Sequence, residues 1–247
     1  MLNIWLYSLI SVFTVSLLSF VGIITLGLKE NFLKSILFYL VSFSAGALLG
    51  DVFLHVLPEM AENSFGLREG LYFLGGIVVF FILERFILWH HSHGSHEEKV
   101  HSMVYLTTLG DALHNFIDGI IIAASFVVSV PLGIASSLAV IFHEIPQEIG
   151  QFAILIHGGW GKSKALWYNF LSALTSVAGA VVVLIFARHL GGAPTFLLAF
   201  AGSSFIYIAM SDLIPELHQE VRLRRSVVQF IWFLLGIGVM AALLFLE

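Results

Sequence analysis

Apolar stretches of about twenty residues recur along almost the whole chain, separated by short polar connections. This pattern fixes the class of structure before any motif is read. A helix needs about 20 apolar residues to cross the hydrocarbon core. Lipid offers no partner to a backbone N–H or C=O, so each stretch must satisfy its own backbone as a helix. Segments at roughly 4–28, 35–58, 71–89, 103–129, 132–157, 165–187, 195–217 and 226–246 qualify. Of 247 residues, 59% are hydrophobic and 11% charged, against about 25% charged in soluble domains. The expectation is an all-α polytopic bundle of eight transmembrane helices, one domain over residues 1–247.

The composition excludes several function classes. A net charge of −5 and the lack of a basic stripe argue against nucleic-acid partners. With no cysteine, disulfides and thiolate ligands are both excluded. Any metal must be held by His, Asp, Glu, Asn or Gln, a donor set that favours zinc, iron or manganese over copper(I). The first apolar stretch begins at Ile4 with no basic residue before it and runs to about Leu28. That is too long for a signal-peptide core, so it is read as a retained first helix.

Orientation follows from the basic residues. One set of connections holds Lys29, Lys34, Lys99, Lys162, Lys164, Arg222, Arg224 and Arg225, with Arg85 at the end of helix 3. The opposite set holds Arg68 and Arg188. The first set is therefore expected in the cytoplasm, with both termini outside and the protein in the plasma (inner) membrane.

Two polar strings interrupt this apolar sequence: His114-Asn115-Phe116-Ile117-Asp118-Gly119 on helix 4 and His143-Glu144-Ile145-Pro146-Gln147-Glu148-Ile149-Gly150 on helix 5. Ionisable groups are costly in hydrocarbon and mark functional sites. His114 and Asp118 are four apart and share a helix face, as do Glu144 and Glu148, and His143 and Gln147. Running antiparallel, helices 4 and 5 bring the strings to one level near the midplane, where secondary transporters bind substrate. Together they offer two imidazoles, three carboxylates and two amides, enough for two ions sharing a carboxylate. Without a Lys or Arg nearby in sequence, three carboxylates there must protonate or bind cations. Pro146 removes a helical hydrogen bond, and the carbonyl it frees needs a partner within the protein. Helix 2 (Ala45-Gly46, Asp51, Pro58-Glu59) is echoed by helix 7 (Ala201-Gly202, Asp212, Pro215-Glu216) running the other way. The expected arrangement is an inverted repeat of helices 1–3 and 6–8 around helices 4–5.

The two strings resemble the helix 4 and helix 5 signatures of the ZIP (Zrt/Irt-like) family of divalent-metal transporters, closest to the branch whose helix 5 reads His-Glu-x-Pro-His-Glu. The likeness extends to Gly50–Pro58, to Leu83-Glu84-Arg85, to Asn169, Ser172 and Ala173, and to Asp212 with Pro215-Glu216. It implies a transporter, not an enzyme, that moves zinc, and often iron, manganese or cadmium, into the cytoplasm, in some members as a homodimer. By matching positions, His114, Asp118, His143 and Glu148 would hold the transported ion with help from His55. Asn115, Asp118, Glu144 and Glu148 would form a second site.

The chain departs from the pattern at Gln147, where the branch has His, at Gln151, where it has Asp, and at Thr175-Ser176, where some relatives carry a Glu. A site with an amide in place of an imidazole accepts iron or manganese more readily. Gln147 also breaks the zincin string His-Glu-x-x-His, which weighs against a metallohydrolase. Asp51, His55 and Glu59 are placed to gather cations at the outer entrance; Asp111, His157, Asp212, Glu216 and His218 lie toward the exit. Residues 90–101 hold five histidines, with Glu97 and Glu98, in a loop expected to catch or sense released ions.

Overall fold

The computed structural model describes residues 2–27, 29–62, 65–89, 96–186 and 193–246. Among them every regular element is helical. In chain order these are α1 (Leu2–Thr25), α2 (30–62), α3 (Leu67–Trp89), α4 (His96–Val128), α5 (Val130–His157), α6 (Lys162–Phe186), α7 (193–217) and α8 (Leu223–Leu243). Six stretches are long and apolar enough to cross a membrane: Leu2–Thr25, Ser35–Ala61, Thr107–Val128, Lys162–Phe186, Thr195–Leu217 and Leu223–Leu243. Helices α3 and α5 are of comparable length, 23 and 28 residues. The chain is a polytopic helical membrane protein.

Its surface is inverted relative to a soluble fold. Leu2, Phe13, Ile24, Leu74, Phe81, Phe186 and Phe230 are exposed, whereas Asp118, Glu144 and Glu148 are fully buried. An apolar surface this continuous would aggregate in water and belongs against lipid. Lipid does not press helices together as water does, so close packing and interhelical hydrogen bonds must hold the bundle. Helix α2 lies along α8, α3 along α7, and α4 along α5 and the second half of α6, with α1 against α6. Glycines permit these contacts. A methyl group built at Gly119 would overlap the Ser176 carbonyl, one at Gly179 the Phe116 carbonyl, and one at Gly46 the Phe233 carbonyl. Ser16 Oγ ties α1 to α6 by donating to the Ala173 carbonyl at 3.0 Å.

The boundaries differ from expectation in instructive ways. Pro131, which falls between the spans read at 103–129 and 132–157, sits in the first turn of α5, where its missing N–H costs nothing. Ser129, in extended conformation, makes the break and accepts from Leu132 N at 3.2 Å as the helix cap. Helix α4 begins at His96, seven residues earlier than read from hydropathy. Residues 90–95 of the histidine-rich stretch, and the side chains of residues 96–101, lie outside the described residues. Helix α6 breaks at Leu174.

Both α2 and α7 contain a five-residue π segment, Val52–Val56 and Ala209–Leu213. Each is followed directly by an X-Pro pair, Leu57-Pro58 and Ile214-Pro215. Proline cannot donate to the preceding turn, and widening that turn relieves the mismatch. At the end carrying Lys162 and Lys164, Lys164 Nζ stands 4.1 Å from the Trp160 ring centre, with Tyr105 and Tyr168 beside it, clipping α4 to the start of α6. The α7–α8 connection closes on Glu220, whose carboxylate accepts from Arg222 Nε at 2.8 Å and Nη2 at 2.9 Å. These contacts pull the Glu220 carboxyl down to about 2.

The glycine contacts give a direct test. Gly119→Ala and Gly179→Ala should each destabilise the bundle by about 1–3 kcal/mol through overpacking against backbone. Gly238, with open space around its Cα, should tolerate Ala with a neutral or favourable change of up to about 1 kcal/mol. Thermal unfolding in detergent checks both; equal shifts at all three positions would contradict the packing described.

Candidate metal centre

The α4–α5 hairpin sets the level of the site. His114 lies 14 residues before Val128, and His143 lies 13 residues after Val130. At 1.5 Å rise per residue both sit about 20 Å from the hairpin. Helix α5 carries Pro146 just after His143, and the Phe142 carbonyl loses its helical donor there. Ser44 of α2 replaces it: its Oγ donates to the Phe142 carbonyl at 2.5 Å. The partner that the sequence demanded is thus supplied by a neighbouring helix, which also docks α2 beside the site.

Four side chains converge at this level: His114, Asp118, His143 and Glu144 each offer one atom, all within 4.8 Å of one another. His143 Nε2 lies 3.3 Å from His114 Nε2, 3.1 Å from Asp118 Oδ2 and 3.4 Å from Glu144 Oε1. His114 Nε2 lies 3.7 Å from Asp118 Oδ2 and 3.4 Å from Glu144 Oε1. Metal–ligand bonds of 2.0–2.1 Å in a tetrahedron put neighbouring donors about 3.3 Å apart. The observed spacings bracket that edge. His143 Nδ1 faces the Ala139 carbonyl at 3.2 Å. A carbonyl only accepts, so in the neutral ring Nδ1 carries the proton and Nε2 presents its lone pair to the centre.

The centre is acceptor-rich. Asp118 Oδ1 and both Glu144 oxygens are buried without a hydrogen-bond partner. Neither α5 nor α4 from Val104 onward contains a Lys or Arg. A divalent cation would satisfy all of these groups at once.

Among the described residues, access to the centre is seen on one side. Toward the hairpin, Ile121, Ile122, Val140 and Phe205 are buried in the main apolar cluster. A hydroxyl chain closes the same side, Ser125 Oγ donating to Ser136 Oγ and Ser136 Oγ to Asp51 Oδ2 at 3.1 Å. On the opposite side a cavity of about 290 Å³ runs between α2, α5 and α7, from His143 past Pro146, Gln147 and Gly150 to Leu213 and Glu216.

The family profile described as "ZIP Zinc transporter" matches residues 2–103 and 88–244, nearly the entire chain. The chain belongs to the ZIP zinc transporter family. It is 31% identical over 260 residues to the zinc transporter ZIP13 of Danio rerio, across 83% of this chain and 75% of that protein. It is 28% identical over 344 residues to the zinc transporter SLC39A7 of Rattus norvegicus, across 99% of this chain and 73% of the relative. A shorter match, 36% over 162 residues, joins 62% of it to 33% of the metal cation symporter ZIP14 of Bos taurus. The family and these relatives are transporters, not enzymes.

The remaining residues singled out in this ZIP chain sit around the four. Glu148 accepts from Asn169 Nδ2 of α6. Asn115 Nδ2 donates to the Asp111 carbonyl at 3.2 Å. Gln147 Nε2 points to Asp111 Oδ1 at 3.4 Å and lines the cavity. His55 Nε2 donates to the Met240 carbonyl of α8 at 3.0 Å and is 3% exposed. It stands outside the converging group. Thr175 Oγ1 donates to the Ala112 carbonyl, and Ser176 Oγ lies 3.0 Å from Ser16 Oγ, so both act as helix ties. Asn169 and Ser172 are named in the sequence only by the family resemblance. Their signal was a polar pair three apart on an apolar helix.

The Ser44–Pro146 arrangement predicts a coupled pair. Ser44→Ala alone should cost about 1–3 kcal/mol by stranding the Phe142 carbonyl. In the Pro146→Ala background, where residue 146 regains its N–H, the same change should cost well under half as much. A double-mutant cycle by thermal unfolding in detergent reads the coupling, and strict additivity would refute it.

Proposed function

We propose that this protein carries zinc, and with it iron, manganese or cadmium, across its membrane into the cytoplasm through the centre on α4 and α5. The observation that carries the reading is the convergence of His114, Asp118, His143 and Glu144 at close to tetrahedral-edge spacing, on two helices that carry no Lys or Arg from Val104 through His157. The names of the relatives, zinc transporters and a metal cation symporter, agree with it.

The donor set explains both capture and release. Two imidazoles and two carboxylates suit zinc and iron and bind less selectively than thiolates. One face of the site is sealed while the other opens to a cavity, the condition of a carrier caught with one gate open. By the distribution of Lys and Arg the open side is cytoplasmic. His55 and Asp51 then stand on the entry route, and Glu216 on the exit.

The proposed frame is eight spans with helices 1–3 and 6–8 as inverted repeats. Two observations support it. The π segments of α2 and α7 precede matching proline pairs. Helix contacts also exchange correctly: α2 lies on α8 as α7 lies on α3. The two repeats would rock around α4 and α5, and a homodimer would give the moving part a fixed neighbour.

Proteoliposomes loaded with a zinc-sensitive dye test the function. Wild type should show zinc uptake above empty vesicles, and His143→Ala and Glu144→Gln should each reduce it by at least about 10-fold, as expected on losing a metal ligand. Uptake unaffected by both substitutions would remove the centre from the transport path. Orientation has its own test, because the chain has no cysteine. Arg68→Cys should react with an impermeant maleimide in intact cells, and Lys162→Cys only after permeabilisation; the reverse result would invert the topology.

A further inference from the structure

A second cavity, of about 420 Å³, opens where α7 ends and α8 begins. It lies at the end of the bundle toward which the cavity of the metal centre runs, and it takes no part in that centre. Ile214 and Leu217 of α7 form one wall, and Ser226, Gln229, Phe230 and Phe233 of α8 the other. The α8 residues are spaced by three and four, so they share one face of the helix. Continued back by one turn, that face carries Arg222 and Arg225.

Along α8 this face changes character in a fixed order. Arg222 and Arg225 come first, Ser226 and Gln229 next, Phe230 and Phe233 last. The step from Arg225 to Phe230 is five residues, or about 7.5 Å of helix. The polar layer on one side of a bilayer is about 5–8 Å thick. A phospholipid presents phosphate, ester and acyl chain in the same order over the same depth.

Each layer has capacity to spare. The connection 218–225 holds three arginines and one carboxylate. Glu220 accepts from Arg222 Nε at 2.8 Å and from Arg225 Nη1 at 3.4 Å, which leaves positive charge over. The side chains of Arg222 and Arg225 stay 63% and 51% exposed. A guanidinium carries five N–H donors in a fork that fits phosphate oxygens. One turn deeper the hydrogen bonds are long: Ser226 Oγ donates to the Arg222 carbonyl at 3.2 Å or the Glu220 carbonyl at 3.3 Å, and Gln229 Nε2 to the Leu217 carbonyl at 3.3 Å. A free phosphate would gain nothing from the phenylalanines, and a neutral lipid would leave the excess charge unmatched.

We propose that this cavity binds an anionic phospholipid. Its phosphate sits on Arg222 and Arg225, its ester groups lie over Ser226 and Gln229, and an acyl chain runs against Leu217, Phe230 and Phe233. The lipid bridges α7 and α8 and fastens their connection to one leaflet. The site stands whether or not the chain moves zinc.

Native mass spectrometry of the purified full-length protein in detergent, with equal amounts of phosphatidylglycerol and phosphatidylcholine added, tests the proposal. Wild type should retain phosphatidylglycerol over phosphatidylcholine by about fivefold or more, the effect of one unit of charge at the membrane surface. Arg222→Gln/Arg225→Gln should retain the two equally. Arg225→Gln alone, which keeps the Arg222–Glu220 pair, should fall between them, so that a loosened connection is not mistaken for a lost site. Lys162→Gln, which removes an exposed charge from the same end of the bundle, should keep the wild-type preference. Equal retention by wild type, or an unchanged preference in the double variant, would overturn the proposal. An equal loss in Lys162→Gln would reduce it to general surface charge. Displacement of phosphatidylglycerol by glycerol phosphate at the lipid's own concentration would make the site one for a soluble phosphate instead. Loss of wild-type zinc uptake would strike the transport reading alone.

Discussion

Uncompensated negative charge in a low-dielectric interior is the constraint on which the rest of this structure depends. Asp118, Glu144 and Glu148 are fully buried, and the two helices that carry them supply no Lys or Arg from Val104 through His157. A soluble protein would solvate such groups or pair them with a basic residue. This bundle does neither. It supplies neutral donors, Asn169, Ser172 and Gln147, to part of the set, and leaves Asp118 Oδ1 and the Glu144 oxygens without hydrogen bonds. A basic residue would satisfy the carboxylates permanently and exclude a mobile cation. Its absence is therefore as informative as the ligands themselves.

Holding such a cluster demands an unusually exact scaffold, because nothing in lipid drives the helices together. The scaffold is made of backbone contacts. Glycines at 46, 119, 179 and 236 let carbonyls of neighbouring helices approach to where a methyl group would stand. Serines and Thr175 then tie backbone to backbone across the gaps: Ser16 to Ala173, Ser44 to Phe142, Thr175 to Ala112. The prolines belong to the same economy. Pro146 frees a carbonyl that docks α2, and Pro58 and Pro215 follow π turns in α2 and α7. Such turns change the register of one helix half against the other, which is the local freedom that a rocking or hinging transporter needs.

What was legible in the sequence was level along the membrane, and what was not was direction around each helix. Hydropathy placed most helix ends to within a few residues, though α4 begins seven residues earlier than read, and the antiparallel run through Ser129 put His114 and His143 at one height. Which helix 5 carboxylate joins them was not readable from spacing, and the family resemblance named Glu148. Glu144 and Glu148 share a face one turn apart, about 6 Å, and either could have completed the group. The structure gathers Glu144 with the histidines and hands Glu148 to Asn169, a partner twenty-one residues away on a third helix. Likewise His55 could be placed near the outer half of α2 but not turned toward the Met240 carbonyl. Thr175 and Ser176 matched a ligand position by alignment, yet their hydroxyls find backbone carbonyls first, as hydroxyls on membrane helices commonly do.

The replacement at position 147 shows how one residue redistributes a site. An imidazole there, four residues after His143, would lie on the same face and offer a third nitrogen. Glutamine is both donor and acceptor, and the structure uses its donor end, turned toward Asp111. Nitrogen character is lost at the histidine level, and the Asp111 carboxylate about one turn along α4 gains a neutral partner. A cation held by fewer strong ligands leaves faster, and a carrier whose site faces a cavity on one side only depends on leaving as much as on binding.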